Sequence, residues 1–490
     1  MGLPPLGGWG SEKDKDGGRM IQFTGVKSMW VRDRHSARVA DAGIPNVGIK
    51  MLFDEAEDPE NRLNKSKTEL GTWSVVVENG RVICYEPEDS SILSTTYIPC
   101  PSSISQTSIH TINLSSGSLS PGFTSFGNPL GLVEIRLEPS TNDGDVWDPL
   151  TDGNPPAIFG MTPSSRAGDA SITHARDSLF FSGRNTLLAY RAGVTKAITP
   201  PSGASTGKFL LGLSVGFHTG AADALDAHGE LEAVIKDEVG LHVSIQHGTS
   251  VGVSTQVGVL RKLVLGGGGS WEDVRKGKLP LIIHVDNADI MATLTILKYE
   301  VEASFAGRLA TSEFVTHPQT HLASTSNSTP DTNHEKQAKL KMTFAGASEA
   351  HLLADEIARA GIAVILSPSR PFPRTWDARR ILPGPPLSAD TAITRLVKAG
   401  VLVGIGVPDE YDAKNLRFEV GWAALDSNGT LSKTQALALG TVNVEQALGL
   451  TDASDLDMDD LVIYQGGGPF DMESKVIGVV SSRRQVVDLF

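Results

Sequence analysis

The sequence is poor in cysteine, in positive charge and in long apolar runs, and each shortage excludes a class of protein. Cys84 and Cys100 are the only cysteines. Two are too few for a disulfide framework or a cysteine-rich zinc cluster, so we predict buried or incidental thiols. The formal net charge of -14 disfavours nucleic acid and anionic membranes as partners, because phosphate binding relies on clustered lysines and arginines. No stretch reaches the roughly 18 consecutive apolar residues of a membrane-spanning helix.

What the chain does contain is typical of a globular protein with many short elements. Hydrophobic residues make up 40% of its 490 residues, and 51 glycines and 27 prolines supply turns, a composition unlike that of a coiled coil. The opening residues lack the basic and then apolar pattern of a signal peptide, so we expect a cytoplasmic protein. Residues 1–18 are charged and glycine-rich and are predicted to form a flexible tail. A homo-oligomer is compatible with these features.

Strand-type runs occupy both ends of the chain. Near the start they are IQFTGV, MWV, WSVVV and RVICY, and Asn79-Gly80 predicts a hairpin between the last two. Near the end they are LVIY and KVIGVV. We therefore predict one small β-sandwich domain composed of residues 19–118 and 455–490. A separate C-terminal cap is the alternative.

Residues 119–454 alternate helical stretches with short apolar runs. This rhythm predicts parallel strands with crossover helices, among them strands near Leu281, Met342, Ala363 and Val403. The length fits a (β/α)8 barrel with an extended insertion at about 306–337. The predicted fold class is thus α/β, a TIM-like barrel joined to the small β-domain.

Four segments resemble the amidohydrolase superfamily and stand in that family's chain order. WSVVVENGRVI resembles its opening strand pair, RAGVTKAIT its second barrel strand, LSKTQALALGTVNVEQALGL its last barrel helix, and DDLVIYQGGGPFDMESKVIGVV its terminal segment. The likeness is greatest to the imidazolonepropionase-like branch. It implies a metal-dependent hydrolase of carbon–nitrogen bonds other than peptide bonds, including those of cyclic amides, in which a cation polarises the carbonyl and activates water.

The ligands of that family's metal centre are largely missing. SLSPGFTSFGNPLG resembles the segment that leads to the family's His-x-His pair, but Gly127, Asn128 and Pro129 occupy its place. Glycine and proline have no side chain that can bind a cation. Gly346 lies near the position of the sixth-strand histidine, and Pro408 takes the place of the eighth-strand aspartate. We therefore expect no ordinary binuclear centre, and either no cofactor or one weakly held, zinc-like divalent cation.

A few residues remain as candidate ligands and catalysts. His284 matches the fifth-strand ligand of the family, and Asp286 projects from the same face of the strand, so both are candidates for the metal. The alternative is a hydrogen-bonded core histidine. Asp409 and Glu410 are candidates for the missing catalytic carboxylate, acting as a general base. A solvated acidic loop is the alternative.

The loop SPSRPFPRTWDARRILPGPP is predicted to border the barrel mouth. Arg370 and Arg374 would bind an anion by parallel hydrogen bonds, and Trp376 would add a flat apolar wall. A rigid surface loop is the alternative. A small-molecule ligand, anionic if these arginines bind it, is thus the expected partner. His242 and His247 flank another predicted strand end, where we expect them to be incidental.

Two functions stay open. The resemblance implies the hydrolase. The missing ligands allow a catalytically inactive relative that keeps the fold as a small-molecule-binding scaffold.

Overall fold

The computed structural model describes residues 20–33, 48–53, 71–89, 97–101, 109–152, 172–227, 232–305, 339–450 and 459–490. The predicted tail at 1–18 and the predicted insertion at 306–337 lie outside these ranges. Among the described residues, no helix combines the length and the apolar character that crossing a bilayer requires.

Both chain ends contribute strands to one eight-stranded sheet. Its strands are β1 (Met20–Arg32), β2 (Ile49–Phe53), β3 (Trp73–Glu78), β4 (Arg81–Pro87), β5 (Ile109–Pro121), β16 (Leu461–Gln465), β17 (Lys475–Ser481) and β18 (Val486–Leu489). The order is β18-β17-β16-β5-β1-β3-β4, with β2 paired to β1. β5 pairs in parallel with β1 and antiparallel with β16. This sharing is what the predicted composite domain requires, and the bounds of that domain stay a prediction. Pairing of the described strands gives one sheet, and the predicted sandwich stays a prediction.

The predicted hairpin is confirmed, and the predicted thiols are wrong. Asn79 and Gly80 join β3 to β4 with positive φ angles of 49° and 68°. Cys84 and Cys100 form a disulfide, with their Cα atoms 5.1 Å apart. Tyr85 N donates to the Ile98 carbonyl oxygen at 3.0 Å, which lays the following residues beside β4 and brings Cys100 within reach of Cys84. The number of cysteines could exclude a framework of several disulfides, but it could not exclude a single one.

The strands of the predicted barrel fall into two further sheets. They are β6 (Phe123–Phe126), β7 (Val194–Thr199), β8 (Leu210–Leu213), β9 (Val215–His218), β10 (Val234–Lys236), β11 (Leu241–Ser244), β12 (Leu281–Val285), β13 (Met342–Gly346), β14 (Ala363–Leu366) and β15 (Val403–Ile405). One sheet has the order β15-β14-β13-β12-β11-β8 and the other β10-β9-β7-β6. The strands β11 to β15 run parallel to one another. The parallel strands predicted near Leu281, Met342, Ala363 and Val403 are therefore confirmed.

One place in this series departs from the all-parallel prediction. β8 and β9 follow each other directly, and they run antiparallel to β11 and to β7, respectively. Only a loop with a single three-residue 3-10 turn, Ala204–Thr206, connects β7 to β8. A parallel return needs a longer crossover, usually a helix, so the chain comes back in the opposite direction. The described part is thus a mixed α/β structure in which strand pairing forms no continuous closed barrel.

The helices pack around these strands and complete the main core. They are α1 (Arg184–Arg191), α2 (Val253–Gly266), α3 (Ser270–Arg275), α4 (Ala288–Phe305), α5 (Ala354–Ala360), α6 (Ala392–Lys398), α7 (Leu416–Asp426), α8 (Lys433–Leu439) and α9 (Val442–Leu448). Strand side chains such as Leu281, Phe344 and Val364 are fully buried among helix residues such as Leu260, Leu294 and Ile357. This packing fixes where the strands end, and the candidate site lies at those ends.

Candidate active site

Two adjoining cavities lie at the carboxyl ends of the parallel strands. The larger, of about 500 Å³, is lined by Arg136 and is called the arginine cavity. The smaller, of about 340 Å³, is lined by His247 and is called the histidine cavity. Both contain Gly127, His284 and Pro408. In (β/α)8-barrel enzymes this end of the strands holds the active site.

Gly127, at a position predicted for a family histidine, and Gly346, near another, have backbone angles that favour glycine. Gly127 has a φ of +91°, and a Cβ atom built there would lie 2.6 Å from Ser367 Oγ. Gly346 has a φ of +82°, and its Cβ would lie 3.1 Å from Asp286 Oδ1. Positive φ is costly for any residue with a side chain. A histidine therefore cannot simply be restored at either position.

Asn128, in the middle of the missing His-x-His, is a structural residue. Its Nδ2 donates to Ser125 Oγ at 2.8 Å and to the Val407 carbonyl oxygen at 3.2 Å. Its Oδ1 accepts from Leu130 N at 3.1 Å. The side chain is buried, and these bonds tie the end of β6 to the segment after β15.

His284 reaches both cavities but is already hydrogen-bonded. Its Nε2 lies 3.0 Å from Nδ1 of His242, a residue that sequence reasoning set aside. Burial lowers the pKa of His284 to about 4, and burial lowers the pKa of His242 well below its usual value. Both rings are therefore neutral at neutral pH. A neutral imidazole can bind a cation, but here the Nε2 atom faces another ring.

The second predicted ligand, Asp286, is held by its neighbours. Its Oδ1 accepts from Ser348 Oγ at 2.7 Å and from Ser348 N at 3.1 Å. Burial raises the pKa of this carboxyl group. Among the described residues, no group of three or more histidine, cysteine, aspartate or glutamate side chains is placed to hold a metal ion. The predicted ligands that the structure describes therefore do not assemble into a binuclear centre.

The predicted carboxylates pair with an arginine that sequence reasoning missed. Arg136 Nη2 lies 2.6 Å from Asp409 Oδ1 and 2.9 Å from Glu410 Oε2. The hydrogen bond that Arg136 donates to Glu410 is the largest cause that raises the pKa of Arg136. Glu410 is buried, whereas 54% of the Arg136 side chain is exposed. The two acids thus hold a guanidinium at the wall of the arginine cavity.

The three residues predicted to bind an anion lie on the surface beside the site. Arg370 packs over the Trp422 ring at 4.1 Å and contacts Glu419 Oε1 at 3.3 Å. Arg374 is exposed, and so is Trp376. None of the three lines either of the two cavities. Their role in binding stays a prediction.

The same loop supplies a different residue to the histidine cavity. Asp377 lies in a short 3-10 helix, Trp376–Ala378, and is buried. Its Oδ1 lies 2.6 Å from His247 Nδ1, and its Oδ2 accepts from His247 N at 2.9 Å. Asn287 Nδ2 adds a longer contact of 3.4 Å to Oδ1. The arrangement is an imidazole fixed against a buried carboxylate.

Comparisons with known proteins agree with the architecture. No model of a known protein family matches the sequence. The protein described as Amidohydrolase tasK, from Hapsidospora irregularis, is 30% identical in an alignment 369 residues long, which covers 70% of this chain and 34% of the relative. The chain therefore spans about a third of the length of that relative. A solved amidohydrolase from Thermotoga maritima superposes with a TM-score of 0.53 at 18% identity, over 84% of this chain and 93% of the other.

The likeness to the solved structure shows the fold alone. The resemblance in sequence goes further, and the chain belongs to the amidohydrolase superfamily.

Proposed function

We propose that this chain is a hydrolase of carbon–nitrogen bonds other than peptide bonds, acting on a small polar molecule, with cyclic amides as the first class to test. The observation that carries this proposal is the pair of cavities at the carboxyl ends of the strands, both of which contain His284. The strand order and the hydrogen bond from Val407 N to the Phe126 carbonyl oxygen, at 3.0 Å, support a barrel of the (β/α)8 type around them.

Arg136 is suited to hold the substrate. Both acids contact its Nη2 atom, and a guanidinium carries five N–H donors, so donors remain for a carboxylate, a phosphate or a carbonyl oxygen. The arginine cavity, at about 500 Å³, has the volume of an ordinary small-molecule site. An anionic group on the substrate would bind here.

The reaction proposed does not depend on two metal ions. We infer that the protein holds at most one divalent cation, weakly, with His284 as the first candidate ligand and Asp286 the second. Homo-oligomers, a cytoplasmic location and the absence of nucleic-acid partners are part of the same proposal and rest on composition alone.

The alternative is a relative that binds a small molecule without turnover. The glycine backbone at Gly127 and Gly346 and the proline at Pro408 favour it, because they replace ligands on which the family's chemistry depends.

One experiment separates the two. Purified protein is analysed for metal content and incubated with a panel of lactams, cyclic imides and cyclic ureides, with and without a chelator. We expect hydrolysis that persists in the chelator, and loss of any residual cation in His284→Ala. Saturable binding of a panel member without hydrolysis would favour the scaffold. Two tightly bound metals per chain, needed for hydrolysis, would contradict the inference about the metal.

A further inference from the structure

The His247–Asp377 pair is the group in the histidine cavity that the function described so far does not use. His247 follows β11 and Asp377 follows β14, so two loops at the same end of the sheet bring them together across 130 residues of sequence.

The geometry fixes the ring and its tautomer. Both carboxylate oxygens of Asp377 face His247, one at Nδ1 and one at the backbone N–H. A carboxylate accepts hydrogen bonds, so Nδ1 of the neutral ring carries the proton and Nε2 carries the lone pair. Asp377 has 10% of its side chain exposed, so water does little to weaken this contact. The orientation is the one that a histidine needs to take a proton at Nε2.

The other titratable groups at this cavity are committed elsewhere. His284 is hydrogen-bonded to His242, and Asp286 is hydrogen-bonded to Ser348. His247 has 55% of its side chain exposed, and among the described residues no partner contacts its Nε2. It is therefore the base that a bound substrate and water can reach.

We propose that His247 is the general base of a metal-independent hydrolysis in the histidine cavity and that Asp377 is its positioning residue. This rests on the proposed function and names the chemistry of its site. Nε2 takes a proton from water while the water oxygen bonds to the amide carbonyl carbon. The C–N bond then breaks as the same proton passes from Nε2 to the leaving nitrogen. A cyclic amide yields one ring-opened product that carries both the new carboxyl group and the amine.

The test uses the full chain, treated with chelator, and the cyclic amide that wild type hydrolyses. His247→Ala should lower kcat by about 10²- to 10⁴-fold, the usual contribution of a general base. Added imidazole should restore part of the lost rate, because the truncated side chain leaves space for it at an exposed site. A histidine with a purely structural role would not be replaced by free imidazole.

Asp377→Asn should lower kcat by on the order of 10²-fold or more with little change in KM, because an amide can hold the ring in the wrong tautomer. Imidazole should not rescue this variant, since His247 still fills the site. His110→Ala is the matched control, because His110 is exposed on β5, and it should keep the wild-type rate with and without imidazole.

The outcomes separate the two proposals. If wild type hydrolyses a panel member and His247→Ala retains that rate, the assignment of the base is wrong and the proposed function stands. A loss of rate that imidazole does not restore, in a variant with wild-type unfolding behaviour, also overturns the assignment. If wild type hydrolyses no member of the panel, the proposed function fails and the base fails with it.

Discussion

Two polar clusters in this molecule differ in how completely their charges are paired. One is buried where the large sheet meets β6, β7 and α9. There Arg32 Nη1 and Nη2 lie 2.6 and 2.7 Å from the two oxygens of Glu445, and Lys196 Nζ lies 2.6 Å from Asp459 Oδ1. Arg32 also contacts Asp459. The other cluster lies at the cavities. There acidic residues contact one side of the Arg136 and His247 side chains.

The difference separates stability from function. In the buried cluster two positive groups meet two negative groups, and each supports the fold. Burial alone would raise the pKa of Glu445, but Arg32 and Lys196 hold it at about 2. At the cavities a carboxylate orients Arg136 or His247. The remaining N–H donors of Arg136 and the lone pair of His247 are then available to a ligand. Changes in the first cluster should therefore alter unfolding, and changes in the second should alter kinetics.

The largest effect is expected from Glu445→Gln, which leaves Arg32 and Lys196 buried with one acid between them. Removing one partner of a buried ion pair costs about 3–5 kcal/mol, measured as the free energy of unfolding in urea. Glu300→Gln is the control, because Glu300 pairs with Arg261 at the surface and such pairs contribute about 0–1 kcal/mol. Equal losses in the two variants would contradict the comparison.

Gly127→Ala should destabilise the protein by about 1–3 kcal/mol, because the residue must keep a positive φ. Part of this loss comes from the contact with Ser367 Oγ, so Ser367→Gly should recover some of it in the double variant. A double-mutant cycle of unfolding free energies measures the recovery. Additive losses would show that Ser367 does not restrict this position. Gly127→His should bind no more metal than wild type, which metal analysis checks.

Arg136→Lys should raise KM for an anionic substrate about tenfold, or ~1.4 kcal/mol, with kcat little changed. Lysine keeps the charge beside Asp409 and Glu410 but lacks the guanidinium fork. Arg370→Ala and Arg374→Ala are the matched comparison, since both lie outside the cavities. A larger rise in KM for either of them would favour the loop that the sequence suggested and count against Arg136.

The smallest effect concerns His218, beside Lys196. Its Nδ1 atom is buried without a partner among the described residues, and burial, followed by the charge of Lys196, lowers its pKa well below the usual value. The unfolded chain therefore binds an extra proton below about pH 6.5, and stability falls as the pH falls through that value. His218→Gln should lose this dependence, so that between about pH 7.5 and about pH 5.8 its stability relative to wild type improves by about 1 kcal/mol. A constant difference across this range would show that His218 does not titrate as its burial requires.

Asp460 makes the stability depend on pH in the opposite direction. Its contribution must therefore be the same in the two proteins that are compared. Burial raises its pKa to about 6, so the folded state binds the extra proton between about pH 3.8 and 6. Its contribution is present at low pH and is lost as the pH rises through about 6. It is common to wild type and His218→Gln, so comparing the two removes it.

The sequence predicted the features that local patterns encode. The runs at Leu281, Met342, Ala363 and Val403 are short, apolar and preceded by helical stretches, and all four became parallel strands. The sequence did not predict the antiparallel direction of β8 and β9. An apolar strand pattern looks the same for either strand direction, and only the short connection from β7 determines the direction.

The site was harder to predict because its pairs are distant in sequence. Arg136 and Glu410 are 274 residues apart, and Arg136 lies in an irregular segment without periodicity. Asp377 lies inside the predicted mouth loop, but the predicted binding residues there were its neighbours Arg374 and Trp376. Two signals were available in the sequence. One was an acidic residue inside a proline-rich loop, and the other was a histidine just after another predicted strand. The loss of metal ligands at Gly127 to Pro129 stays a prediction, and the positive φ of Gly127 is consistent with it.

Asn128 has a consequence for folding kinetics. Its bond to the Val407 carbonyl oxygen spans 279 residues, and it lies next to the backbone bond that joins the last parallel strand to the first. Contacts of such long range form only after the intervening chain is ordered, since closing a long loop costs entropy that short-range contacts do not. Asn128, which lies between the two positions predicted for metal-binding histidines, thus joins the two ends of the strand series late in folding. Its loss should speed unfolding more than it slows folding.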